Sequence, residues 1–241
     1  RQSYACPQYG RHALGDQNQY SGPTSTPTFD QRSGRLYTLS ADGDLLCWDT
    51  NREGARVWAI NLYDQYDVPR RPNVGGGHRD FGFTTAPLLH GDLLLVAVGG
   101  PVGLVVAFDP QTGEQRWTSE NKDPAANAGG MTPLEVDGAP CVAVLSVHRL
   151  VVIRTDRDAA GKTLASHPWE TYFVNNLVTP TVIGQDVVIS SGYNISRMVR
   201  LRIEGDQMTP VWESRQYTAV GSPVVYQGKL YTPYRRLRCF D

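Results

Sequence analysis

The chain has 241 residues, with 23 basic and 24 acidic side chains and a formal net charge of −1; 40% of it is hydrophobic and 10% aromatic. Acids and bases are interspersed, which excludes a nucleic-acid footprint and a polyanionic tail, and the length is ample for a sizeable core. No apolar stretch approaches the roughly 20 residues that a membrane helix needs.

In chain order, two markers recur. The first is a small residue followed by proline: Thr26-Pro27, Ala86-Pro87, Thr132-Pro133, Thr179-Pro180 and Ser222-Pro223. The second is a tight turn closed by tryptophan, best formed in the run Ala107 to Trp117. There Asp109 is placed to accept backbone N–H bonds across the turn, Pro110 presets φ, and Gly113 takes the left-handed conformation. Trp117 follows on the returning strand, where a large flat side chain buries against a neighbouring sheet. A looser upstream copy holds Cys47, Asp49, Gly54 and Trp58, with one extra turn residue of the kind hairpins accept. Successive prolines lie 60, 46, 47 and 43 residues apart, and the first four precede Trp58, Trp117, Trp169 and Trp212 by 31, 30, 36 and 32. Trp169 is off that spacing and is expected to sit differently from the other three.

Between the markers lie short apolar runs: Leu93–Val98, Cys141–Leu145 and Val187–Ile189. Bounded by turn residues and rich in β-branched side chains, they read as strands buried on both faces. A period of about 45 residues carrying four strands is a propeller blade. The fold class is therefore all-β, a β-propeller of four-stranded antiparallel blades. Residues 1–241 read as one domain, with blades near 22–63, 83–121, 129–172, 176–215 and 219–241. Trp58, Trp117 and Trp212 are expected to be buried between neighbouring blades. The best helix candidate, Asp158–Ser166, is short, contains Gly161 and suits a hairpin loop equally well.

Candidate chemistry concentrates in one place. The first proline interval is long because a polar, glycine-rich loop, Val74 to Gly82, is inserted there. The candidate binding residues are Gly75, Gly76, Gly77, His78, Arg79, Asp80 and Phe81. Propellers carry binding function on such insertions, and Arg79 could hold a carboxylate bidentately. No Lys-Ser/Thr follows the glycines, so this is no phosphate loop, and a structural or protein-contacting role is the preferred reading. His12, His78, His90, His148 and His167 are scattered without metal-site spacing; His90, before a turn, reads as solvent-facing. Cys47 and Cys239 occupy the slot of Ala107 and read as small buried hydrophobes, Cys141 lies on an apolar strand, and Cys6 is the one candidate for a bridge or surface thiol. Asn175-Asn176 and Tyr193-Asn194 either line a channel mouth or serve turns. Arg70-Arg71 and Arg235-Arg236 with Arg238 read as loop decoration, and Tyr63, Tyr66 and Tyr172 as exposed.

Ala107, Asp109, Gly113 and Trp117 match the tryptophan-docking motif of the quinoprotein-like propellers with pyrroloquinoline-quinone-like repeats, and the resemblance runs over essentially the whole chain. Pro168–Pro180, Val187–Tyr193 and Gly221–Tyr231 resemble the bacterial, planctomycete-type repeat proteins of that group; the propeller lipoprotein of the outer-membrane assembly machinery is similar too. The resemblance implies a ring of about eight blades. Arg1 falls just after a closing Trp position and Asp241 on a turn Asp position, so the ring is expected to be incomplete at both ends. Quinoprotein dehydrogenases of the superfamily stack the quinone on a disulfide between adjacent cysteines and hold calcium through Glu, Asn and Asp. This chain has no adjacent cysteines, and the expectation is a non-catalytic scaffold with no cofactor and no metal, binding protein partners in the periplasm or outside the cell. The alternatives are part of a quinone- and calcium-dependent alcohol or sugar dehydrogenase, and a carbohydrate-binding propeller.

Overall fold

The computed structural model describes residues 25–70, 80–172 and 176–240. Five antiparallel sheets follow one another along the chain. The first holds β1 (Thr28–Asp30), β2 (Arg35–Leu39), β3 (Asp44–Asp49) and β4 (Ala55–Asn61), and the second β5 (Leu88–His90), β6 (Leu93–Ala97), β7 (Val105–Phe108) and β8 (Gln115–Thr118). The third holds β9 (Thr132–Val136), β10 (Ala139–Leu145), β11 (Arg149–Arg154) and β12 (Thr163–Pro168), and the fourth β13 (Thr181–Ile183), β14 (Asp186–Ser191), β15 (Arg197–Glu204) and β16 (Gln207–Ser214). The fifth has three strands, β17 (Val224–Tyr226), β18 (Lys229–Tyr234) and β19 (Arg236–Phe240).

The sheets pack face to face around an axis, as blades of an unclosed propeller. First strands lie innermost, β1 beside β5, β9 beside β13 and β13 beside β17. Thr28, Thr132 and Thr181 occupy one register position on them, and each hydroxyl donates to a carbonyl at the start of the next sheet: Pro87 at 2.5 Å, Pro180 at 2.5 Å and Pro223 at 3.1 Å. The middle strands are buried on both faces, which is why their apolar runs do not alternate. Separate apolar cores fill the gaps between successive sheets.

One defect recurs in all four complete sheets. The pairing of third and fourth strands shifts by a residue immediately after Cys47, Ala107, Val152 and Arg200, whose partners are Trp58, Trp117, Ala165 and Trp212. A β-bulge there bends the outer strand and aims the partner side chain at the next sheet. Trp58 lies over Gly113 of the second sheet and donates its indole N–H to the Pro110 carbonyl at 3.1 Å. Trp212 stacks on Phe240 of the fifth sheet, ring centres 5.8 Å apart. Trp117 packs against the third sheet's core. All three are half-buried, since each rests on a sheet edge with its rim in solvent.

The bulge bears out the expectation that Trp169 sits differently from the other three tryptophans and shows where the proline marker misleads. Ala165 holds the docking position of the third sheet, and Trp169 lies beyond β12, 1% exposed in the core between the third and fourth sheets. Pro133 is likewise out of register: Met131 precedes Thr132 as Pro27 precedes Thr28 and Pro180 precedes Thr181. Asp158–Ser166 forms turn and strand with no helix. Among the described residues, apart from a 3-10 turn at Thr50–Arg52, the helix is α1 (Leu62–Gln65), a single turn capped by Asn61, whose side-chain oxygen accepts from Tyr63 N at 2.9 Å and Asp64 N at 3.2 Å.

Candidate partner-binding face

Antiparallel strands sort the connections to two ends of the propeller. At one end lie the turns joining the first strand to the second and the third to the fourth, two to eight residues long. At the other lie the turns joining the second strand to the third and the four links between sheets, so the longest connections gather there. Loops collected on one face of a rigid scaffold are where binding residues concentrate.

The short end is closed by local bonding. Asp109 Oδ1 accepts from the backbone N–H groups of Gln111 (2.6 Å) and Thr112 (3.1 Å), its carbonyl accepts from Gly113 N, and its second oxygen pairs with Arg116. Asp49 repeats this with Asn51 N at 3.0 Å and with Arg35 at 3.0 Å. The extra residue of that turn, Glu53, adopts φ +54° before Gly54. These aspartates are turn residues, and their chemistry is spent on the backbone.

At the long end, serine hydroxyls take over the same task. Ser40, Ser146 and Ser191 hold equivalent positions, and their Oγ atoms accept from Asp44 N (3.0 Å), Arg149 N (2.9 Å) and Tyr193 N (3.1 Å). Asn176 is fully buried and donates to the carbonyls of Ser146 at 2.9 Å and Trp169 at 3.0 Å. It ties the link after the third sheet to that sheet's own turn and does not line a channel mouth; Asn175 lies outside the described residues. Asn194, in left-handed backbone, accepts from Tyr172 N at 2.6 Å. The loops of this face are thus held by their own polar bonds, fully buried at Asn176, while carrying exposed groups such as Tyr172, 51% exposed.

The link that contains the insertion belongs to this end, and its described flanks run to Arg70 and resume at Asp80. Gly75, Gly76, Gly77, His78 and Arg79 lie outside the described residues, as do Val74 and Arg71. Asp80 is 3% exposed, its carboxylate accepts from Gly82 N at 3.1 Å, and Gly82 approaches the Ala41 carbonyl so closely that a Cβ would lie 2.2 Å from it. Asp80 is therefore an anchor of the loop base and is not displayed to a ligand. Phe81, beside it, is half-buried.

Other candidates resolve individually. Tyr63 is half-buried against Phe83, ring centres 4.8 Å apart, and Tyr66 is half-buried with its hydroxyl donating to Gln115 at 2.7 Å. Their rings are needed to pack the first sheet on the second, so they are not the exposed pair the sequence suggests. His90 is not solvent-facing: its Nε2 lies 3.1 Å from Thr155 Oγ1 of the third sheet, and burial holds its pKa below the usual histidine value. His148 pairs with Glu170 at 2.9 Å. Arg236 and Arg238 belong to β19 and not to a loop. Cys47 and Cys141 are buried free thiols, pushed up to about 11 by desolvation. Cys239 is exposed, because among the described residues no sheet packs on that face of β19. Cys6, His12 and Asp241 lie outside the described residues.

The described residues do not fit a quinone site. Cys47, Cys141 and Cys239 stand on three different sheets, so no pair supplies a vicinal disulfide platform. No group of three His, Cys, Asp or Glu side chains among the described residues converges as a metal site would require. No helix among them is long and apolar enough to cross a membrane.

Comparison with known proteins agrees with the propeller geometry. No curated protein matches the chain by sequence. Among solved structures, a chain of the Mitotic Checkpoint Complex superposes with a TM-score of 0.59 at 11% identity, over 86% of this chain and 57% of that one. The Pan2 WD40 domain of Neurospora crassa gives 0.51 at 16% identity, over 88% of this chain and 53% of that one. This chain thus spans little more than half the length of either. BamB from Moraxella catarrhalis aligns at 14% identity over 86% of this chain and 79% of that one, with a TM-score of 0.33. The family description "Outer membrane protein assembly factor BamB" matches residues 21–241, and the chain belongs to that family.

Proposed function

We propose that this chain is a non-catalytic propeller scaffold that docks a protein partner through its long-connection end, outside the cytoplasm and without quinone or metal. The observation that carries the reading is the asymmetry of the ends: one closed by turns of at most eight residues, the other bearing every link between sheets, the inserted loop and exposed Tyr172. Membership of the outer membrane protein assembly factor family supports a partner in an assembly complex and a place beyond the cytoplasm. A carbohydrate site built on Tyr63, Tyr66 and Tyr172 has less support, because the first two rings are engaged in packing.

The test compares tagged full chains altered at either end. Tyr172→Glu combined with deletion of residues 75–79, which leaves the Asp80 anchor in place, is expected to reduce partner recovery about tenfold or more, as for loss of an aromatic hot spot. Asp92→Lys with Asp137→Lys, at the short-turn end, is expected to leave recovery unchanged. The opposite pattern would place the interface on the wrong end and sink the reading.

A further inference from the structure

The arginines near the C-terminal end of the chain have no role in the account so far. Arg235 forms the turn between β18 and β19, in left-handed backbone at φ +56°, and Arg238 lies on β19. Side chains alternate along a strand, so Arg238 shares a face with Phe240, which stacks on Trp212 of the fourth sheet. That places the guanidinium over the seam between fourth and fifth sheets. Arg215 reaches the same seam from the link after β16, and with Tyr217 these residues line a concavity of about 170 Å³ with no acidic side chain among its described walls.

Arg215 also lines a second, open concavity of about 560 Å³ with Arg197 and Glu213. Glu213 is paired there with Arg197 at 3.4 Å, and Arg197 lies over the Trp169 ring at 4.9 Å. The one acid among the described walls is therefore already engaged, and Arg215 and Arg238 form no ion pair with any described residue. The segment carrying Arg215 is fixed from behind: Thr218 N donates to Ser190 Oγ, and that hydroxyl donates to the Thr218 carbonyl, both at 2.9 Å. The groove is preorganised, positive and at the long-connection end.

We propose that this groove seats an acidic segment of the protein partner, with carboxylates on Arg215, Arg235 and Arg238 and an apolar side chain against Tyr217. The proposal rests on the reading of this end as the docking face and names the chemistry it selects. A guanidinium fork matches a carboxylate with two parallel hydrogen bonds. Nucleic acid is the weaker occupant: the chain carries a net charge of −1, Glu213 flanks the groove, and Tyr217 is the single aromatic side chain among its described walls.

The test is fluorescence anisotropy of the full chain with fluorescein-labelled deca-glutamate, beside an equally labelled deca-thymidylate. Deca-glutamate is expected to bind and to weaken as salt rises from roughly 50 to about 300 mM, over which exposed charges are screened. Arg215→Glu with Arg235→Gly should weaken it about tenfold or more. Both side chains are exposed, so the thermal midpoint should hold, and the Arg215→Lys, Arg235→Lys variant should retain part of the binding. No binding of deca-glutamate, or equal binding by the charge-reversed variant, overturns the proposal; so does tighter binding of deca-thymidylate that the same variant abolishes. If deca-glutamate fails while alterations at Tyr172 and 75–79 still lose the partner, the groove falls and the scaffold reading stands.

Discussion

Trp169→Ala is expected to lower the unfolding free energy by about 3–5 kcal/mol, the cost of truncating a fully buried tryptophan. The indole is 1% exposed and fills the space where the third and fourth sheets meet, with Ala126, Leu145, Leu150 and Ile189 in the same core. Its backbone is fixed by a bond from Trp169 N to the His148 carbonyl at 2.8 Å, so the surroundings are poorly placed to collapse into the cavity. Arg197, over the ring at 4.9 Å, loses a cation–π contact worth about 0.5–1 kcal/mol at a partly exposed site. The indole N–H has no hydrogen-bond partner among the described residues, so Trp169→Phe should cost clearly less than Trp169→Ala. Chemical denaturation reads both; an unchanged midpoint for the alanine variant would mean that Trp169 does not plug this interface.

Gly113→Val should cost about 2–5 kcal/mol, from two independent causes. Glycine adopts φ +77° here, and a β-branched residue in left-handed backbone costs about 1–2 kcal/mol. A Cβ at this position would lie 2.9 Å from the Trp58 ring of the preceding sheet, and forcing the indole away adds roughly 1–3 kcal/mol of overpacking. The displacement also threatens the Trp58 bond to the Pro110 carbonyl, which receives Tyr37 Oη at 3.0 Å as well. Gly184→Val is the control: its φ is +64°, but a Cβ there meets nothing within 4 Å, so only the backbone term remains. Equal losses for the two variants would show that Trp58 does not rest on Gly113.

The repeat was legible because its turn chemistry is local. Asp, Gly and the closing Trp lie within one hairpin, and the structure uses Asp109, Gly113 and Trp117 as that spacing implies. Trp169 sits differently from the other three, as its spacing implies, but what replaces it was not legible: the third sheet's docking slot holds Ala165, which carries no marker, while the tryptophan four residues later serves a different core. Pairing register identifies Ala165; residue type cannot. The fate of His90 was hidden for a similar reason, since its partner Thr155 is 65 residues away on another sheet. The site was less legible than the fold. Sequence located the insertion by its excess length, yet Asp80 at its base proves to be a buried anchor. The basic run Arg235-Arg236 with Arg238 looked like solvated decoration because the strand assignment of β19 and the approach of Arg215 depend on tertiary packing.

Hydrogen exchange of the chain, alone and with its recovered partner, tests the central claim most directly, that docking occurs at the end where long connections gather. Partner binding is predicted to slow exchange in segments 98–103, 121–127, 192–196 and 215–223, and to leave the hairpin turns at 31–34, 109–114, 184–185 and 227–228 unchanged. Protection confined to those hairpin turns, with the long-connection segments exchanging as in the free chain, would contradict the account.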